Sequence, residues 1–164
     1  MALVVEDGAG LSTAESFASV AQADARHTAL GNSAWTGSDT VKEQALRRAT
    51  SYMEQAYRTR WKGTKLLRSQ ALSWPRYGAE ADGYTLDSTI VPAEVANACI
   101  DLALKSLADE LNADLTRGIV REKVGPLETE YDPHAPQQVR YRSVDMALAP
   151  YLRGSGAMAT LVRA

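Results

Sequence analysis

The chain has 164 residues, 45% hydrophobic and 23% charged, which describes one globular domain able to bury about 70% of its unfolded surface without staples. A single cysteine excludes an internal disulfide framework, and no apolar run approaches the roughly 20 residues of a membrane span. A net charge of −2 argues against a strongly basic nucleic-acid binder, and the start lacks the cationic and apolar regions of a secretion signal, so folding in a reducing cytoplasm is the expectation.

Ser19 is a good N-cap and predicts a first helix from Val20 to about Leu30, stopped by Gly31-Asn32. The cluster Gly37-Ser38-Asp39-Thr40 opens a second, about Val41 to Tyr57, with Val41, Ala45, Ala49, Tyr52, Met53 and Ala56 recurring at helical spacing. Residues 63–91 read as a long loop punctuated by Gly63, Pro75, Gly78 and Gly83. A loop of that length is functional or clamped by its own side chains. Pro92 suits the first turn of a third helix running to about Asn112, apolar round most of its circumference, in which Cys99 reads as a small buried hydrophobe.

The pattern then changes from helical to alternating. If Gly125-Pro126 is a two-residue turn, Val124 faces Leu127, Lys123 faces Glu128, Arg121 faces Glu130 and Val120 faces Tyr131. Nearly every pair is then apolar or oppositely charged, as a hairpin requires. Ser143 caps a short helix from Val144 to about Leu152, and Gly154-Ser155-Gly156 frees a tail. The expected fold is therefore mainly α: a small bundle of about four helices, a β-hairpin and an extended C-terminal arm. Residues 1–153 make one helical domain with the loop 63–91 and the hairpin 120–131, and residues 154–164 make the flexible arm.

Charge is segregated along this order. Residues 1–41 carry a net −4, residues 42–76 a net +7, and residues 77–119 a net −6. The basic block holds Arg60-Trp61-Lys62-Gly63 and Gln70-Ala71-Leu72-Ser73-Trp74-Pro75-Arg76. Pro75 bars the helical conformation at Trp74, so Trp61, Leu72, Trp74 and Pro75 form a rigid apolar plug that anchors the loop. The cations beside it can pair with carboxylates, stack on indoles or meet phosphates. We expect Arg47, Arg48, Arg58 and Arg60 to meet acidic residues of the same or a neighbouring copy, with candidates between Glu80 and Asp114. Arg121, Lys123, Glu128 and Glu130 of the hairpin are the other expected inter-subunit contacts.

Chemistry leaves few traces. His27 and His134 have no partner at metal-ligand spacing, and there is no Cys pair, phosphate loop or nucleophile elbow. Glu122-Lys123 on a strand resembles the acid–lysine pair of some nucleases, but the acids that would hold their metal are not suitably placed. No catalytic residue, cofactor or metal is expected, and the chain reads as a non-enzyme.

Five segments in order carry a family resemblance: Val4-Val5-Glu6-Asp7-Gly8, Ser16 to Ala25, the two tryptophan segments above, and Val120 to Leu127. They resemble a set of tailed-phage proteins labelled DnaT-like single-stranded-DNA-binding and similar in structure to head–tail connector (adaptor) proteins. The connector resemblance implies a structural protein of the virion neck, made in the host cytoplasm, in a ring with the twelve-fold symmetry of the portal. It implies as partners the portal protein, a tail-side neck protein (stopper or tail terminator) and genomic double-stranded DNA passing through the lumen without sequence-specific binding. Membranes play no part. Within this reading the arm docks on the portal through Met158, Thr160, Leu161, Val162 and Arg163, because Thr160-Leu161-Val162 has the character of a strand that can join a sheet edge. The alternative is a single-strand binder that stacks bases on Trp61, Trp74, Tyr52, Tyr57 and Tyr77 while the basic segment 47–77 follows the backbone.

Overall fold

The computed structural model describes residues 2–113, 121–124, 127–130 and 140–154. Helix α1 (Val20–Ala29) begins where expected: Ser19 Oγ accepts from Gln22 N, and Gln22 Oε1 accepts from Ser19 N, which makes a capping box. Helix α2 (Asp39–Tyr57) follows, and helix α3 (Ala93–Ser106) packs along it as the centre of the core. The buried face of α2 is Ala45, Leu46, Ala49, Thr50, Met53 and Tyr57. Three of the expected positions are thus right, but Val41 and Ala56 are exposed and Tyr52 is half-buried. The stripe turns toward Leu46, Thr50 and Tyr57 because α3 presents Cys99 to it: Thr50 Oγ1 lies 3.3 Å from the Cys99 sulfur, and that thiol, pushed up by burial, is inert packing.

α3 is shorter than the apolar pattern suggested. Ser106 Oγ turns back to the Ala103 carbonyl at 2.8 Å, and the Arg48 guanidinium takes the Ser106 carbonyl at 3.0 Å. Leu111 is nevertheless buried beyond the helix end.

The loop expected over 63–91 holds two short antiparallel pairs, β1 (Thr64–Lys65) with β2 (Arg76–Tyr77), and β3 (Glu80–Ala81) with β4 (Tyr84–Thr85). Two residues per strand fall below what an alternation pattern can signal. Strands β5 (Arg121–Val124) and β6 (Leu127–Glu130) pair in the register read from the sequence, Arg121 with Glu130, Glu122 with Thr129, Lys123 with Glu128 and Val124 with Leu127. The Gly125-Pro126 turn and the Val120–Tyr131 pair lie outside the described residues.

Helix α4 (Arg142–Leu148) starts at Tyr141 without a side-chain cap, so Ser143 lies inside it and caps nothing. It gives way to a 3-10 turn, Ala149–Tyr151, well before the expected end at Leu152. Pro150 is the reason: it has no N–H to donate and its ring crowds the carbonyl four residues back.

The N-terminal segment owes its shape to one acid. Buried Glu6 accepts from the backbone N–H of Gly8, Gly10 and Leu11 at 3.0, 2.8 and 2.9 Å. Gly8, at φ +103°, is required there, since a Cβ would stand 1.8 Å from the Thr89 carbonyl oxygen.

Candidate functional site

The strongest sequence signal, the two tryptophans among cations, lies at the C-terminal end of α2. Trp61 is 1% exposed and Trp74 is 0%. Their rings meet edge-on at 5.7 Å, and further contacts run outward through Tyr57 on one side and Tyr151 on the other. Leu72 and Pro75 are buried with them, and the Trp74–Pro75 peptide is cis. All four expected loop-anchor residues are therefore buried. Polar side chains tie the loop around them. Glu54 accepts from Ser73 N and Ser73 Oγ at 2.7 and 2.8 Å, and buried Gln70 donates to the Leu72 and Pro75 carbonyls at 2.9 and 3.0 Å.

Lys62, Lys65 and Arg76 bind carbonyl oxygens. Arg76, buried, donates to Lys62 O at 2.6 Å, Ser73 O at 3.0 Å and Gly63 O at 2.7 Å. Burial, then the nearby Arg153 charge, lower its pKa from the ordinary value. Lys62 donates to Pro150 O at 2.7 Å, and Lys65 to Gln70 O at 3.1 Å and Ala71 O at 3.3 Å. Gly63 must be glycine, because a Cβ would fall 2.5 Å from the Tyr77 carbonyl. The polar ends of the tyrosines are likewise held: Tyr57 donates to Asp145 and Tyr151 to Glu94, both at 2.7 Å. Burial, reinforced by these carboxylates, pushes both phenols well above their ordinary pKa.

The four expected arginine contacts divide. Arg47 donates to Glu15 at 3.1 and 2.9 Å and to Glu43 at 3.4 Å, all within the chain. The acids described beside it come from the N-terminal segment and its own helix, because α2 runs beside residue 15. The Arg47 guanidinium holds the Glu15 carboxyl below the usual carboxylate range. Arg48 meets the Ser106 carbonyl, not a carboxylate. Arg60 is half-buried with its charge over the Tyr57 ring at 6.0 Å, and Arg58 is exposed. Arg121, Lys123, Glu128 and Glu130 sit on β5 and β6 in facing pairs. Met158, Thr160, Leu161, Val162 and Arg163 lie outside the described residues.

Of the aromatics suggested as stacking platforms, Tyr77 is open, at 69% exposed, while Tyr57, Trp61 and Trp74 are buried and Tyr52 is half-buried. Tyr84, at 77% exposed, was not among them. Its signal was faint: one aromatic after Asp82-Gly83, in a stretch where Glu80, Asp82 and Asp87 make phosphate unwelcome. Two hollows lie at the other end of α2. A polar one of about 500 Å³ is lined by Asp24, His27, Trp35 and Lys42, with Asp24 accepting from Trp35 Nε1 at 2.6 Å and Lys42 Nζ at 2.8 Å. A second, of about 310 Å³, is lined by Ala34, Thr36, Val41, Leu104, Leu107 and Ala108. Among the described residues no cluster of three metal-ligating side chains occurs, and no helix is long and apolar enough to cross a membrane.

A family model described as "Putative DnaT-like ssDNA binding protein" matches residues 1–164. No curated protein and no solved structure matches the chain.

Proposed function

From the premise that this chain belongs to the family described as DnaT-like single-stranded-DNA-binding, we propose that it works without catalysis, as a structural subunit that joins copies of itself into a ring at the neck of a tailed phage. In that place it meets the portal on one side and a stopper or tail terminator on the other, and duplex DNA passes through the lumen ungripped. One observation carries this reading. The segment that would grip a strand is closed, with Trp61 and Trp74 inside the body and Lys62, Lys65 and Arg76 bound to backbone carbonyls. Cations so held have little to offer phosphate, and a net charge of −2 suits a conduit that must let DNA slide.

Single-strand binding is the second reading. The family's description favours it, and so does the exposure of Tyr77 and Tyr84 on neighbouring short strands, with Arg58 and Arg68 exposed on the same loop system. Stacking on such tyrosines is worth about 1–3 kcal/mol per base. The readings separate in an anisotropy titration of a labelled oligonucleotide at moderate salt, run beside native mass measurement with the cognate portal. The ring reading expects no saturable strand binding and a closed oligomer on the portal. Saturable binding that disappears in Tyr77→Ser/Tyr84→Ser, with unchanged melting, would replace it by the second.

A further inference from the structure

The polar hollow at the N-terminal end of α2, about 500 Å³, has the size of a small-molecule site, and its charged groups are only half used. Asp24 takes two donors on one oxygen: Oδ1 accepts from Trp35 Nε1 at 2.6 Å and from Lys42 Nζ at 2.8 Å. Its Oδ2 has no partner among the described residues. Lys42 uses one of its three donors on that bond, and its ammonium stands 5.7 Å from the centre of the Trp35 ring. With 14% of its side chain exposed, Lys42 is a largely desolvated cation that can still donate twice.

The neutral groups are placed with equal care. Asn32 N donates to His27 O at 2.9 Å, and Asn32 Nδ2 donates to His27 Nδ1 at 3.1 Å, which leaves Asn32 Oδ1 as a fixed acceptor. Thr28 and Ser33 line the same hollow with their hydroxyls. Arg26, the neighbouring cation on α1, is taken by Asp101 through two bonds of 2.9 and 2.8 Å. Asp24 and Lys42 are therefore the charges that the hollow presents.

Two opposite charges in contact, each with capacity left, select a ligand by its own charge pattern. An anion gains Lys42 but meets Asp24, and a cation gains Asp24 but meets Lys42. A molecule that carries a carboxylate one carbon away from an ammonium answers both, and each contact is a charge-assisted hydrogen bond. We infer that this hollow binds a free α-amino acid, its carboxylate on Lys42 and its ammonium on Asp24 Oδ2, with Asn32 Oδ1 as a further acceptor. The site is complete within one chain, so it stands apart from the ring reading above.

The test follows the indole N–H signals of the full chain in a nitrogen–proton correlation spectrum while L-alanine is added near neutral pH at constant ionic strength. The chain has three tryptophans, and Trp61 Nε1 and Trp74 Nε1 have no acceptor, so the carboxylate-bound Trp35 signal stands apart; Trp35→Phe identifies it. Expected is a saturable movement of that signal alone. Half-saturation should come at a concentration at least about tenfold lower than with acetate or methylammonium, each of which offers one of the two contacts. Asp24→Asn keeps an oxygen for Trp35 but loses the charge, and should bring alanine to the level of acetate. An equal response to acetate would overturn the inference by showing a general anion effect at Lys42. So would an equal movement of all three indole signals, or no saturable movement with alanine. These three outcomes are read on the parent chain, so a variant that fails to fold does not hide the answer.

Discussion

The C-terminal end of α2 is rich in the residues that recognition surfaces use, and its centre, Trp61 and Trp74 with Tyr57 and Tyr151, is sealed. The N-terminal end is made of alanine, threonine, valine and leucine beside a histidine and a lysine, and it is open. The difference teaches that residue type marks capacity for contact, not its availability. A buried tryptophan that has found a tyrosine and a second indole has no face left for a base. An arginine bound to three carbonyls is a strut of the loop.

The comparison breaks first at Trp74. Trp74→Ala removes a fully buried indole at the centre of the sealed end and should cost about 3–5 kcal/mol, visible as a large drop in melting temperature. A variant that melts like the parent would mean that this end is looser than its packing indicates.

Arg76 sharpens it. Arg76→Gln should cost about 2–3 kcal/mol, because three buried or half-buried carbonyls lose a charged donor that the shorter amide cannot replace. Arg58→Gln, in the same basic block but exposed, should stay within about 0.5 kcal/mol. Equal effects in chemical denaturation would show that position along the sequence, and not the carbonyl cradle, sets the role of these cations.

Why the sealed end was only half legible follows from such residues. That Trp61, Leu72, Trp74 and Pro75 are buried could be read, since Pro75 excludes helix and four apolar groups so close together have few other uses. The start of α1 and the β5–β6 register were legible for the same kind of local reason: a serine N-cap and alternating opposite charges announce themselves within a few residues. The partners of the cations were not. Arg76 binds Lys62 O and Gly63 O across 14 and 13 positions, and a carbonyl leaves no trace in the side-chain code. Arg48 meets the Ser106 carbonyl across 58 positions. The open hollow was invisible because it is made of ordinary core-type residues that no element happens to cover.

The smallest expected effect tests the open end and is one of pH. His27 is buried beside Trp35, its ring centroid 4.8 Å from the indole, with Nδ1 at 3.1 Å from the Asn32 amide. Burial lowers its pKa below the ordinary value of about 6.5; the Arg26 charge acts the same way, against Asp101, Asp24 and the Ile100 backbone. In the unfolded chain His27 takes its proton near pH 6.5, whereas the folded site resists until lower pH. The contribution of neutral His27 to stability is therefore fully present above about pH 6.5 and is lost as pH falls below it. The Asp24 carboxyl, held low chiefly by Lys42, loses its contribution only at more acid pH, so the two windows are distinct. Melting temperature measured from pH 7 to pH 5 should decline for the parent and decline less for His27→Gln, whatever constant offset the substitution brings. Parallel slopes would show that His27 is solvated, and that this end of α2 is open to water more deeply than its packing indicates.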